Sequence, residues 1–515
     1  MKLMKKYIFI MMAALVGFTS CGDEFLTSLP TEKQQAGGSA TEGAILSNLG
    51  SAYQILLFDS YANNNYNSLP LMSDLRSDDI YKGGGDAGDQ HQLYALSLFT
   101  STPQEQPEGL WSIFFSGLAR TNNVLIACDN AVNVPAAKLE QYKAEGHFLR
   151  AYYVHWLWKF WGNVPYFEEP LSSAPYMTKQ LKADEIYNKI MADLDYACGK
   201  TETGTDRLAM NYAKGNTNVG RVTKAAALML KARVVMYQKD TQRYSEITKD
   251  MAEIITSNQF DLFSDFKAMW LDQNEFCGES IFESNQLPEG KTWASGWQGY
   301  GTNLPAFISP NGLSAGTKTG DFKGGWGFGP VRQSTWDAYE EGDTRREGSI
   351  NKWEDSQYTP RFQNTGLFLG KYSARVGYNP QGDVDLNYCN NVRIFRFAET
   401  LLNYVELIKI QGQTEVSGVT AQACLDRVRT RAFGLASSIP ATAVNIKLER
   451  RREFVGEGLR FWDLVRWGDT AILTENTALS SRTWNDNFKY LPIPQSEMEK
   501  TTGTEFALTQ NPGYN

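Results

Sequence analysis

Apolar residues recur three and four positions apart along most of the chain. Trp111, Phe114, Phe115, Leu118 and Leu125 fall on one helical face, as do Leu139, Tyr142, Phe148, Tyr152 and His155. The same period predicts amphipathic helices over roughly 183–198, 221–238, 242–258, 392–411, 419–433 and 444–457. Alternation with a period of two, the mark of a half-buried strand, is rare, so the pattern predicts a mainly α protein. Three helical stretches resemble one another: Phe148-Leu-Arg-Ala-Tyr-Tyr-Val, Leu228-Met-Leu-Lys-Ala-Arg-Val and Phe397-Ala-Glu-Thr-Leu-Leu-Asn-Tyr-Val. Small Ala beside large rings suits closely stacked helix hairpins of the tetratricopeptide kind. The spacing is irregular, which predicts degenerate, scattered pairs in place of a regular solenoid.

Two stretches break the helical period. The first, about 59–107, holds Asn63, Asn64, Asn65 and Asn67, then Asp74, Arg76, Asp78, Asp79 and Tyr81, then Gly83-Gly84-Gly85. In the second, 285–330, 11 of 46 residues are Gly, far above the 44 in 515 of the whole chain, and Trp293, Trp297, Tyr300, Phe307, Phe322, Trp326 and Phe328 are spread among them. Long loops are either functional or disordered, and disordered segments are poor in rings. Aromatic faces on Gly-bent backbone, alternating with Asn and Gln, meet the two needs of sugar binding: an apolar surface for C–H faces and partners for hydroxyls. Trp293, Trp297, Tyr300 and Trp326 are therefore candidate ligand contacts, the alternative being that these rings only pin the loop to the helical body.

The N-terminus reads as an address. Lys2, Lys5 and Lys6 precede an apolar run from Ile8 to Phe18, and small Thr19 and Ser20 lead to Cys21, the pattern of a secretory leader over residues 1–20 that is too short to span a bilayer. Phe18-Thr-Ser-Cys21 resembles a bacterial lipobox, with Phe18 in place of the usual Leu, which predicts lipidation of Cys21 and a membrane anchor without a spanning helix. Residues 21–36 then form a linker, and Gly22, Asp23 and Glu24 resemble an outer-surface export signal or are a solvated charge pair. Loss of the leader removes three lysines and no acids, so the net charge of −8 becomes −11, which disfavours a nucleic-acid partner. Cys128, Cys198, Cys277, Cys389 and Cys424 show no C-x-x-C spacing, so buried thiols are expected over a disulfide framework or zinc site, one disulfide remaining open.

The C-terminal half carries long strings in fixed order. Arg396-Phe-Ala-Glu-Thr-Leu-Leu-Asn-Tyr-Val-Glu, Asp426-Arg-Val-Arg-Thr-Arg-Ala and Glu449-Arg-Arg-Arg-Glu-Phe-Val-Gly-Glu-Gly-Leu-Arg-Phe-Trp-Asp-Leu-Val-Arg-Trp-Gly468 closely resemble the SusD/RagB family of outer-membrane nutrient-binding lipoproteins. Asp337-Ala-Tyr-Glu-Glu-Gly-Asp-Thr-Arg345, Tyr490-Leu-Pro-Ile-Pro-Gln495 and Gln510-Asn-Pro-Gly-Tyr514 match the same family, as does the lipobox. The resemblance implies a single domain over 21–515 with a SusD-like fold: four irregular tetratricopeptide-like helix pairs bearing long ligand-binding loops. It further implies a surface glycan binder, anchored on the outer membrane and facing the exterior, that passes oligosaccharide to a SusC-like TonB-dependent porin.

Within the strings, Glu449, Arg452 and Glu453 lie one helical turn apart, and Arg460 precedes the apolar Phe461, Trp462, Leu464 and Val465. These read as an ion-pair network and packing surface that dock the C-terminal helices. The early cluster Asp74, Arg76, Asp78 and Asp79 offers the carboxylates and guanidinium that bind sugar diols, with Tyr81 as stacking partner, and the family often builds part of its site there; turn-forming Asp and a local salt bridge is the competing reading. Asp86 and Asp89 lack a D-x-D-x-D-G calcium loop, and no metal or cofactor is expected. A glycosidase needs only two carboxylates, yet no H-E-x-x-H, G-x-S-x-G or Walker sequence is present, and His91, His147 and His155 are not spaced as a metal cluster. Glycan binding leads, ahead of a protein scaffold or peptide-binding member of the family, and a glycoside hydrolase comes last.

Overall fold

The computed structural model describes residues 38–514 apart from 59–60, 63–64, 67, 172–175, 295, 314–315, 317–319 and 381–383. The leader, Cys21, the 21–36 linker, Asn63, Asn64 and Asn67 lie outside the described residues. The helices that build the body are α1 (Glu42–Gln54), α2 (Leu69–Leu75), α3 (Gly109–Asp129), α4 (Ala136–Trp161), α5 (Ala183–Cys198), α6 (Lys224–Gln238), α7 (Tyr244–Thr256), α8 (Phe397–Lys409), α9 (Ala421–Phe433), α10 (Ala443–Phe454) and α11 (Arg460–Trp467). The mainly α reading is correct, and among the described residues no helix is long and apolar enough to cross a membrane.

Capping explains several boundaries. The Thr223 hydroxyl accepts from Ala226 N at 3.2 Å and starts α6, Thr420 does the same for α9 through Ala423 N, and Thr442 for α10 through Asn445 N. Consequently the helix expected from 221 begins three residues later. Gly434 and Gly468, both left-handed, end α9 and α11.

From α3 to α8 each of these helices packs on the next, α1 closes against α3, and α8 holds α9 and α10. The core between them is dense in rings: Trp158, Trp161, Phe148 and Tyr153 of α4 are fully buried. The expected helix over 392–411 is a correction. Val392–Arg396 is a strand, β4, paired antiparallel with β3 (Ser280–Ser284), and the helix begins only at Phe397. All five strand residues are buried, because Arg393 and Arg396 are neutralised by glutamates and need not face water. A strand buried on both faces has no alternation to read.

Those arginines belong to a buried ion network. Arg345, 0% exposed, contacts Asp343 at 2.7 Å, Glu449 at 2.7 Å and Glu453 at 3.1 Å. Arg396 bridges Glu279 at 2.5 Å, Glu453 at 3.0 Å and Glu457 at 2.7 Å, and Arg431 closes back on Glu279 and Glu453. The network ties α9, α10, the 343–345 segment and the β3–β4 pair together, the docking role read from the Glu449–Glu453 spacing. The five described cysteines are unpaired thiols.

The two long loops are pinned to one another. Isolated bridges join Ile80 to Val331 and Gly83 to Phe328, and Gly84 N donates to Gly327 O at 2.9 Å. Gly83 has φ +70°, and a Cβ there would lie 2.3 Å from Gly327 O, so this crossing requires glycine. Gln363 completes the clasp, its Oε1 accepting from Lys82 N and Gly83 N at 3.0 and 3.1 Å.

Candidate functional site

A short hairpin opens the first loop. Strands β1 (Tyr61–Ala62) and β2 (Asn65–Tyr66) pair antiparallel, with Tyr61 directly opposite Tyr66. Their rings meet at 5.4 Å, and each receives one tryptophan from the second loop. Tyr61 is edge-on to Trp293 (5.7 Å, 77°) and Tyr66 edge-on to Trp326 (5.7 Å, 90°). The two indoles are near-parallel, 23° apart in plane with centroids 5.9 Å apart. Edge-to-face and offset-stacked pairs are the arrangements that ring quadrupoles favour. Buried Phe307 supports the group from below, 5.0 Å from Trp326, 5.1 Å from Tyr66 and 4.8 Å from Phe328.

Polar contacts fix the orientation. Trp326 Nε1 donates to Asp385 Oδ2 at 3.1 Å, Trp326 N donates to Ala306 O at 2.7 Å, and Arg361 Nη1 donates to Trp326 O at 2.9 Å. The backbone approaches so closely here that a Cβ on Gly325 would sit 2.2 Å from Ala306 O. The Tyr61 hydroxyl donates to the Trp293 carbonyl at 2.9 Å, so the buried tyrosine holds both ring and backbone of its partner. Burial pushes the Tyr66 phenol up, with Tyr61 and Asp89 adding to the shift, so it stays protonated at neutral pH. Trp293, 41% exposed, presents the outermost indole surface. Lys323 Nζ with Asn379 Oδ1 at 3.1 Å adds a polar pair on the segment that leads into Trp326. Rigid rings beside fixed donors and acceptors can hold a polyhydroxylated ligand without covalent chemistry.

The other sequence-selected residues fall elsewhere. Trp297 is edge-on to Phe58 (5.6 Å, 85°) and packs against the core. Tyr300, 43% exposed, lines a separate cleft beside α1. The cluster Asp74, Arg76 and Asp78 is a correction: all three are buried, at 1%, 1% and 6% exposure, and are occupied internally. Arg76 donates to the carbonyls of Phe488 and Lys489 and lies 4.0 Å from the Phe461 ring centroid. Asp78 takes both ends of the Arg460 guanidinium (2.8 and 3.0 Å), and Asp74 accepts from Gly458 N at 3.1 Å. Asp78 of the first loop thus answers Arg460 of the C-terminal string and Asp79 answers Arg451, while Asp74 is held by the Gly458 backbone. Tyr81 is half-buried under the Arg332 guanidinium, 4.0 Å from its ring centroid. Asp86 and Asp89 cap turns, accepting from Gly88 N and Gly85 N at 2.7 Å.

Sequence reasoning missed Tyr61, Tyr66, Phe307 and Asp385 as parts of the site. The two tyrosines flanked an Asn-rich run, a hairpin signal in itself. Asp385 meets Trp326 across 59 residues of chain, and nothing local marks it.

A helical body carrying paired aromatic loops of this kind defines a class of binding proteins, and comparison assigns the family. Residues 278–514 match the SusD family, and residues 43–236 match a family described as starch-binding and associating with the outer membrane. The chain belongs to the SusD family. It is 67% identical to surface glycan-binding protein A from Bacteroides fluxus, over 92% of this chain and 100% of that one, with a TM-score of 0.88. It is 37% identical to surface glycan-binding protein A from Bacteroides thetaiotaomicron in complex with laminarihexaose (92% and 100% covered, TM-score 0.84). SusD-like protein P25 of Formosa agariphila is 24% identical, over 78% of this chain and 79% of that protein.

Proposed function

We propose that this protein binds glycan on the Trp293–Trp326 pair, and that the glycan is of the laminarin type. The observation that carries the reading is the near-parallel pair of indoles, braced by Tyr61 and Tyr66 and exposed at Trp293. The likeness to a protein solved with laminarihexaose supports the choice of sugar, as does a laminarin-binding SusD-like protein 28% identical over 92% of this chain. Binding is reversible and involves no bond cleavage: rings cover C–H faces, while groups around Asp385 and Lys323 take hydroxyls.

In the same reading residues 1–20 are removed, Cys21 is lipidated, and residues 21–515 form one domain outside the outer membrane. Four tetratricopeptide-like helix pairs then face a SusC-like TonB-dependent transporter, to which captured oligosaccharide passes. Weak affinity suits that relay, because the ligand must leave, and a polymer with repeated units compensates through effective concentration.

Affinity electrophoresis in laminarin, with starch and mannan as comparison polymers, tests the reading. Retardation in laminarin, strongly reduced in Trp293→Ala/Trp326→Ala with the melting temperature retained, supports it. Truncation of a ring anchor costs about 2 kcal/mol, roughly thirtyfold in Kd. Unchanged retardation in the double variant sinks it, and glucose release on prolonged incubation would replace it with an enzyme.

A further inference from the structure

Two clefts lie away from the indole pair and share a wall. One, of about 440 Å³, opens between the 211–223 loop and residues 274–283; the other, of about 460 Å³, runs beside α1 to Tyr300. Gly220, Arg221 and Glu283 line both, so together they form one groove from Tyr212 to Tyr300. Each half has the volume of a small-molecule site.

The walls indicate what the groove accepts. Arg221 makes a two-pronged contact to the buried Glu145 (2.6–3.2 Å), and Lys214 Nζ donates to Gln273 O at 2.6 Å. Glu283 accepts from Phe276 N at 3.0 Å and from Asn391 Nδ2 at 2.9 Å. Arg221 and Glu283 are thus committed within the protein, whereas the exposed Lys214 ammonium keeps its charge and can donate to a ligand hydroxyl. The rest of the lining is neutral and includes the rings of Tyr212, Phe276 and Tyr300 and the amides of Asn211 and Asn274. Each of those amides commits its N–H₂ to a backbone carbonyl (3.1 and 2.8 Å), which keeps the side-chain oxygen as an acceptor.

Phe276 adds an independent sign. It is a non-glycine residue at φ +54°, in the left-handed region that a bulky side chain avoids, and its N–H bond to Glu283 holds it there. The ring is thereby placed over Gly220, 3.8 Å from where a Cβ would project, at the junction of the two clefts. Strain of this kind persists where the surroundings over-determine it, and it concentrates at ligand clamps.

We propose that this groove is a second saccharide site, with Phe276 and Tyr212 as its ring contacts. It takes a neutral oligosaccharide segment of the glycan bound at the indole pair, and in this respect rests on the glycan-binding reading. The two sites share chain: Gly50, Ser51, Tyr53, Gln54, Leu56 and Leu57 line the groove on the segment that leads into Tyr61, Lys291 Nζ ties the second loop to Leu57 O at 2.7 Å, and that loop carries Trp293 and Tyr300. Occupation of both by one polymer makes the second contact intramolecular.

Calorimetric titration of the whole mature chain with laminarihexaose counts the sites, and immobilised laminarin reads the avidity. Two sites are expected, one lost in Tyr212→Ala/Phe276→Ala and the other in Trp293→Ala/Trp326→Ala, with either loss weakening laminarin retention by at least about tenfold. Phe276→Ala also removes the bulky left-handed residue; should that variant not fold, Tyr212→Ala alone gives the same readout. A single site abolished by the tryptophan variants and untouched by Tyr212→Ala and Phe276→Ala overturns the second site and leaves the main reading intact. A single site abolished only by the Tyr212 and Phe276 changes does the reverse. Absence of any laminarihexaose binding overturns both.

Discussion

Trp326 donates its indole N–H to Asp385 at 3.1 Å, a contact between the Gly-rich loop and the short 3₁₀ turn at 384–386. Asp385 accordingly orients a ring that it does not cover. Asp385→Ala is expected to weaken laminarin binding by about fivefold, the equivalent of one hydrogen bond of about 1 kcal/mol, with the melting temperature little changed. Asp385→Asn, which still offers an oxygen to the indole, should recover most of the loss in the same titration.

The C-terminal string behaves differently. Arg345 is fully enclosed by Asp343, Glu449 and Glu453, so its removal strands the buried Asp343 and takes one partner from Glu449, which keeps Arg429, and one from Glu453, which keeps Arg396 and Arg431. Arg345→Ala should cost about 3–5 kcal/mol in urea unfolding, because breaking a buried pair leaves uncompensated charge. Glycan affinity per folded molecule should stay at the wild-type value, which separates a docking role from a ligand role.

Asp74 sits 1% exposed, and burial, reinforced by Asp79, holds its carboxyl well above the usual range. The folded state therefore retains a proton that the unfolded chain has released above a pH of about 4. Stability contributed by this site falls as pH rises beyond that point. Asp74→Asn keeps an oxygen for Gly458 N and cannot ionise. Its urea midpoint should equal or exceed that of the wild type at pH 8, and the difference should shrink toward pH 4; a lower midpoint at pH 8 would refute the assignment.

Asp463 has the opposite sign. Burial opposes its ionisation, but Arg450 and Arg466 outweigh that and bring its carboxyl down to about 2. The stability it contributes is present above the unfolded value of about 4 and disappears as pH falls through about 2, on the order of 2 kcal/mol. Glu453 and Glu457, also held low against burial by their arginine and lysine neighbours, act in the same direction. Acid unfolding should thus begin below a pH of about 4, and Asp463→Asn should flatten part of that limb in a circular dichroism titration.

The sequence by itself determined the helical body. Period and caps are local, so Ala183–Cys198 and Ala421–Phe433 appear where apolar spacing put them, and the Glu449–Gly468 string named the family. It also marked the Gly-rich aromatic loop and, within it, Trp293, Trp297, Tyr300 and Trp326, of which packing brings Trp293 and Trp326 together. Only tertiary structure decided the rest, because pairing across hundreds of residues leaves no local period. Arg460 reaches Asp78 across 382 positions, which turns a plausible sugar-binding carboxylate into the buried half of an ion pair. Val392–Arg396 is a strand because glutamates from distant segments neutralise its arginines. Tyr61 and Tyr66, unremarked in the chain, become the supports of the indole pair because a two-stranded hairpin sets them side by side. Composition supplied the rings, and packing alone selected which of them meet.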